Sequence, residues 1–158
     1  MMLTPLTAEP EQAAPAHCAL CALAKATNES RGGRDDHVVG SLDADVVVAY
    51  VDDDAVVLLP TRLSGVLVAP RRHVDGISTL TEHALSNFLA ALRRTAESVK
   101  AMVGGSGPAI EPYSEIPMTE GHICFRVASE STGPSPSGVS EVQERADRIR
   151  RSLEVSSN

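Results

Sequence analysis

The sequence predicts an α+β domain in which an antiparallel sheet carries one long helix packed on it, followed by a C-terminal helix. Two observations lead there. Three short apolar segments rich in β-branched residues, "DVVVAYV" (45–51), "AVVLLP" (55–60) and "GVLVAP" (65–70), are separated by the tight polar spacers "DDD" and "TRLS". After residue 79 the apolar residues recur at steps of three and four, and a further strand pattern follows at 121–128. A chain of 158 residues with 42% apolar content is long enough for one domain with its own core.

Residues 1–15, rich in Pro, Ala, Glu and Thr without a period, are expected to be a flexible tail ahead of a domain at 16–130. A short helix is expected from Cys18 to Lys25, fading at the polar "TNESRGGRDDH". "VDDDA" (51–55) has the spacing of a hairpin turn, which favours a solvated turn over a metal site. The long helix is placed at 80–103. Its stripe is Leu85, Phe88, Leu89, Leu92, Ala96, Val99 and Val103, with Thr79 and Glu82 as a capping box and Gly104 and Gly105 at the exit.

A strand near 109–114 precedes the one at 121–128. In the latter, Ile123, Phe125 and Val127 should share one face, and His122, Cys124 and Arg126 the other. "STGPSPSG" (131–138) has the composition of a flexible linker. Over 139–158 the residues Val142, Ala146, Ile149 and Leu153 form an apolar stripe, Ser140 and Gln143 are spaced for a cap, and mixed charges cover the remaining face.

Composition excludes several classes of function. The chain carries 14 basic and 21 acidic residues, a net charge of −7, and no Lys/Arg cluster interleaved with aromatics, so a nucleic-acid polymer is not an expected partner. With no Trp, two Tyr and two Phe there is no stacking platform for bases. No apolar run reaches the roughly 20 residues of a membrane helix, and the first 17 residues have neither a basic nor an apolar leader pattern. A cytoplasmic protein without membrane association is the expectation.

Three cysteines, Cys18, Cys21 and Cys124, make a poor disulfide framework, and two of them form a C-x-x-C turn. That spacing lets two thiolates converge on one Zn²⁺ at about 2.3 Å each. It also fits a redox pair, although the βαβ context of thioredoxin-like folds is missing, or two cysteines with no joint role. Among the histidines, His73 follows the strand at 65–70 and His122 opens the strand at 121–128, contexts that preorganise a ligand. Cys18, Cys21, His73 and His122 would form a net neutral Cys₂His₂ site. His17 competes as a ligand but adjoins Cys18, His83 falls on the polar side of the long helix, and His37 lies in a polar loop.

Together, "CALC", three short strands ending in "GVLVAPRRHV", a long amphipathic helix and a strand opening on His resemble the histidine triad (HIT) superfamily over residues 16–128. "LVAPRRHV" is the most specific stretch, matching the family's Leu-Val-x-Pro-Lys-x-His. The resemblance implies a HIT-like fold, a zinc ion on Cys18, Cys21, His73 and His122, and a homodimer paired through the long helix and an edge strand.

The family's His-x-His-x-His is here His122, Cys124 and Arg126. In the family the middle His attacks the α-phosphorus to form a nucleotidyl-enzyme, and the third helps hold the phosphate. Cys124 therefore stands at the nucleophile's position and Arg126 at a phosphate-binding one. Two departures bear on phosphate chemistry: "IEPYSEIPMTEG" brings Glu111, Glu115 and Glu120 before the triad, and Ser64-Gly65 replaces the family's Gly-His.

These residues imply a zinc-binding, HIT-like protein with a degenerate triad that serves as a ligand-binding, nucleotide-binding or interaction module for a nucleotide or phosphorylated small molecule. The alternative is a nucleotide or phosphate-ester hydrolase or transferase. There Cys124 would be the nucleophile, its thiol pKa lowered by Arg126 and the zinc, and Arg126 would hold phosphate. A third reading makes the three residues an ordinary half-exposed strand face.

Overall fold

The computed structural model describes residues 18–29, 46–105, 107–114, 121–129 and 138–155. The expected tail (1–15), residues 131–137 of the linker, His17 and His37 lie outside them.

The chain runs α1 (Ala19–Glu29), β1 (Val46–Val51), β2 (Ala55–Pro60), β3 (Val66–Pro70), a 3₁₀ turn (Ile77–Thr79), α2 (Glu82–Val103), β4 (Ala109–Pro112), β5 (Phe125–Ala128) and α3 (Val139–Val155). The five strands form one antiparallel sheet in the order β1-β2-β3-β5-β4. β5 thus slots between β3 and β4, which places the residues just before it beside the end of β3.

Strands β2 and β3 are buried at every position because both faces of the sheet are covered. On one face Val47, Ala55, Val57, Leu59, Val66, Val68 and Val127 pack with Phe88, Ala91, Leu92 and Val99 of α2 and with Val142, Ala146, Ile149 and Leu153 of α3. On the other, Val46, Val48, Val56, Leu58, Leu67, Ala69 and Cys124 pack with Cys18, Leu20, Leu23 and Ala24 at the start of the chain. The alternation along each strand is the period of two that a pleated chain imposes. A register shift between Val48 and Tyr50 interrupts it in β1, where the Arg150 guanidinium of α3 donates from Nε to the Ala49 carbonyl at 2.9 Å.

The long helix begins two residues later than its sequence pattern indicates. Thr81, not Thr79, is the N-cap, its hydroxyl accepting from the Ala84 N–H at 3.3 Å, while the Thr79 hydroxyl donates to the Gly76 carbonyl. Both threonines fit a cap by spacing. The 3₁₀ turn ending at Thr79 and the extended Leu80 move the entry to Thr81. The buried face is also rotated: Leu89 is 48% exposed, and Ala91, Thr95 and Ser98 take the inward positions. Their hydroxyls are satisfied within the core, Thr95 donating to the Ala91 carbonyl and Ser98 to the Arg94 carbonyl, with Ser98 also 2.8 Å from Ser152 of α3.

Three other expectations shift. Helix α1 continues to Glu29, beyond Lys25. Helix α3 is entered at Gly138, whose carbonyl accepts from the Val142 N–H, so Ser140 lies inside the helix and does not cap it. Strand β5 starts at Phe125, and residues 122–124 precede it outside the strand, with the Cys124 carbonyl accepting from the Tyr113 N–H. The hairpin turn at 52–54 is present, closed by Asp52 Oδ1 accepting from the N–H groups of Asp54 and Ala55.

Candidate metal centre

Cys18 precedes the first turn of α1, where its carbonyl accepts from the Ala22 N–H, and Cys21 lies one turn along. That turn brings both thiols to the end of the sheet at which β3 finishes. His73 lies three residues beyond Pro70. His122 follows Gly121, whose φ of +66° is a conformation that side-chain-bearing residues rarely adopt. Two backbone bonds fix the second histidine segment: the Ile123 N–H donates to the Val74 carbonyl at 2.9 Å and the Tyr113 N–H to the Cys124 carbonyl at 2.8 Å.

The ligand atoms of Cys18, Cys21, His73 and His122 all lie within 4.8 Å of one another. His122 Nδ1 is 3.3 Å from Cys18 Sγ and 3.6 Å from Cys21 Sγ, and His73 Nδ1 is 3.5 Å from Cys21 Sγ. Tetrahedral zinc with bonds of about 2.3 Å to sulfur and about 2.05 Å to nitrogen requires S···N edges of about 3.5 Å. The three separations, 3.3, 3.5 and 3.6 Å, lie close to that edge.

The other nitrogen of His122 is occupied. Its Nε2 lies 2.8 Å from the Pro70 carbonyl, to which it can only donate, so Nδ1 carries the free lone pair facing the thiols. The two imidazoles meet edge-on, with centroids 4.9 Å apart and planes at 70°. Burial lowers the His122 pKa, opposed by the Pro70 bond and reinforced by His73, which favours the neutral, ligating form. Burial, aided by the hydrogen bond and charge of Cys18, pushes the Cys21 thiol up to about 12. A bound cation would favour the thiolate form of Cys21 against that burial.

Cys124 and Arg126 are placed differently. Cys124 is only 3% exposed within the cluster under α1, and burial pushes its thiol up to about 12, overriding the weaker downward pull of two backbone hydrogen bonds. The lowering expected from Arg126 does not arise, because that guanidinium is directed elsewhere: Nε donates to the Ser64 carbonyl at 3.1 Å, Nη2 to the Ser64 hydroxyl at 3.3 Å and Nη1 to Glu111 at 2.9 Å.

Glu111, read from sequence as a charge that would repel an anion, therefore neutralises the cation beside it. It does so because β4 pairs with β5 in a register that sets it opposite Arg126. Glu115 and Glu120 lie outside the described residues. His83 is exposed, 3.2 Å from the Asn87 amide, as its place on the polar side of the helix indicates. Sequence reasoning missed the Pro70 carbonyl, since a backbone acceptor leaves no mark on residue identity.

No protein-family model and no curated protein sequence matches this chain. Solved structures do. A zinc-bound histidine triad family protein from Mycobacterium smegmatis superposes with a TM-score of 0.58 at 15% identity, covering 89% of this chain and 95% of its own. The chain has the histidine triad fold. A hypothetical histidine triad nucleotide-binding protein from Sulfolobus tokodaii gives a TM-score of 0.58 at 14% identity over 87% of this chain and 93% of its own. A Hit-like protein from Bartonella henselae gives 0.53 at 20% identity, over 67% and 85%. In this version of the histidine triad fold, the C-x-x-C and two histidines form a cluster able to hold a metal. Among the described residues no helix is long and apolar enough to cross a membrane.

Proposed function

We propose that this chain is a zinc-stapled binding module of the histidine triad fold that takes a nucleotide or phosphorylated small molecule without forming a nucleotidyl-enzyme. The convergence of Cys18, Cys21, His73 and His122 within 4.8 Å of one another, with three S···N separations near a tetrahedral edge, carries the metal part of this reading. Four protein donors close the coordination sphere, so zinc would act there as a structural cross-link. Cys18 and Cys21 would bind as thiolates, His73 and His122 as neutral imidazoles. The zinc-bound relative from Mycobacterium smegmatis supports the choice of metal.

The ligand part rests on Arg126. Its guanidinium already holds one carboxylate, that of Glu111, 53% exposed, and a phosphate arriving from solvent would take that carboxylate's place on Nη1. The nucleotide-binding relative from Sulfolobus tokodaii supports this ligand class. The alternative, hydrolysis or transfer with Cys124 as nucleophile, needs an accessible thiolate. The burial of Cys124 supports binding over catalysis. A homodimer and a cytoplasmic location complete the reading. For the dimer, Ile110 on the edge strand β4 and Leu89 on α2 offer half-exposed apolar contacts.

Metal analysis of purified protein tests the first part, with about one zinc per chain expected from a four-ligand site. Folded protein that neither retains nor binds zinc would overturn it. Calorimetric titration with adenosine nucleotides should give binding that weakens in Arg126→Leu. Turnover of adenosine phosphoramidate or dinucleoside polyphosphates that disappears in Cys124→Ala would replace the module with the enzyme.

A further inference from the structure

Both histidines of the centre depend on residues 70–73, and those residues are clamped to the hairpin turn at 52–54. The Pro70 carbonyl holds His122, and Pro70 is the register partner of Ala55, the residue that leaves the turn. The Arg71 N–H donates to the Asp54 carbonyl at 2.9 Å, and Arg71 Nη1 donates to the Asp52 carbonyl at 3.1 Å. His73 follows two residues later.

The turn is itself braced from three sides. Asp52 Oδ1 accepts from the N–H groups of Asp54 at 2.9 Å and Ala55 at 2.7 Å, while Oδ2 faces Arg94 of α2 at 3.6 Å. The Asn87 amide of α2 donates to Asp54 Oδ2 at 2.9 Å. These carboxylates are engaged by N–H groups and a guanidinium, so the turn is a brace and not a second cation site.

We infer that the acidic turn is a positioning element of the metal centre: the Asp52 carboxylate closes the turn whose backbone carbonyls hold Arg71, and so fixes residues 70–73 where His73 and His122 meet the two thiols. This rests on the metal reading above. It adds that metal affinity is set partly from α2, through Arg94 and Asn87, two helix residues that belong to neither the ligand set nor its hydrogen bonds. Asp53 is the internal contrast. Its side chain is 94% exposed and meets Arg71 only at the surface, where an ion pair is worth little.

The test measures Zn²⁺ affinity by chelator competition, and the visible spectrum of the Co²⁺-loaded protein, in wild type, Asp52→Ala, Asp52→Asn, Arg71→Lys and Asp53→Ala. Loss of a group bonded directly to a ligand weakens metal binding about 10- to 100-fold. Asp52→Ala and Arg71→Lys act one step further out, through residues 70–73, and should weaken it by about 10-fold or less, with altered Co²⁺ bands. Asp52→Asn keeps an acceptor for both turn N–H groups and should recover part of the loss, and Asp53→Ala should match wild type.

Arg150→Ala, which removes the clasp on β1, controls for general destabilisation and should leave metal affinity unchanged. Wild-type affinity in both folded Asp52→Ala and folded Arg71→Lys overturns the inference, and Arg71→Lys alone decides it if Asp52→Ala does not fold. Wild type that binds neither Zn²⁺ nor Co²⁺ removes the metal reading itself, an outcome separable from one seen only in the variants.

Discussion

His122 donates from Nε2 to the carbonyl of Pro70 at 2.8 Å, across 52 residues of sequence, and so presents Nδ1 to Cys18 and Cys21. The imidazole holds the end of β3 as well as facing the thiols. His122→Ala should therefore destabilise even the metal-free protein, by about 1–3 kcal/mol, the usual cost of leaving a buried acceptor unpaired. His73→Ala, at a half-buried ring outside that bond, should cost less in the metal-free protein while still weakening metal binding. Urea unfolding of both variants in the presence of chelator checks the order.

Metal removal should loosen α1. That helix meets the sheet through Leu20, Leu23 and Ala24 and through the two thiols of the centre, and Cys124 is buried in the same cluster. In loaded protein all three cysteines should resist a thiol reagent. After chelation, Cys124 should become reactive in step with faster amide exchange over residues 19–29, followed by mass spectrometry. Equal Cys124 labelling rates with and without metal would show that α1 stays docked on its own.

The metal-free protein should be most stable between about pH 6.5 and 9. Burial lowers the His122 pKa in the folded state, so the unfolded chain binds more protons and stability falls as pH drops through the ordinary value of 6.5. Cys21 and Cys124 are raised from 9.0 to about 12, so the folded chain keeps its protons longer and stability falls as pH rises through that window. With metal bound, Cys21 is held as thiolate and its share of the alkaline loss disappears, while that of Cys124 remains. Thermal melts across pH, with and without zinc, read the difference.

Gly65 and Gly104 should respond differently to the same substitution. At Gly65, φ is +106° and an added Cβ would sit 2.8 Å from the Val127 carbonyl oxygen, where β3 meets β5. At Gly104, φ is +69° with open space around it. Gly104→Ala should cost about 1–3 kcal/mol, because its φ of 69° with ψ of 170° lies in a region that glycine alone occupies readily. Gly65→Ala adds a backbone clash and should exceed it clearly in denaturant midpoint.

The four-residue Cys/His cluster was legible in sequence because its parts are marked by residue type: two cysteines at a fixed spacing and two histidines near strand ends. The three hairpin strands were legible because each lies between polar spacers. The cap at Thr81 was not, since Thr79 offers the same chemistry and only the 3₁₀ turn decides between them. Leu89 misled for a related reason: α3 covers part of α2, turning its buried face toward Ala91, Thr95 and Ser98, and that packing partner lies more than fifty residues away. The surroundings of Cys124 and Arg126 depend on α1 and on the β4–β5 register, neither of which a local pattern encodes.

The Arg150 clasp on the bulged β1 has a bearing on assembly. An edge strand invites another strand to pair with it, and bulges together with charged groups laid over its carbonyls discourage that. With the carbonyl of Ala49 occupied from within, the β1 rim is a poor template at its bulge, whereas β4 lies at the opposite rim. Pairing along β4 alone would join the sheet to one further copy and then stop, so the proposed homodimer would be a closed pair and not a growing fibril.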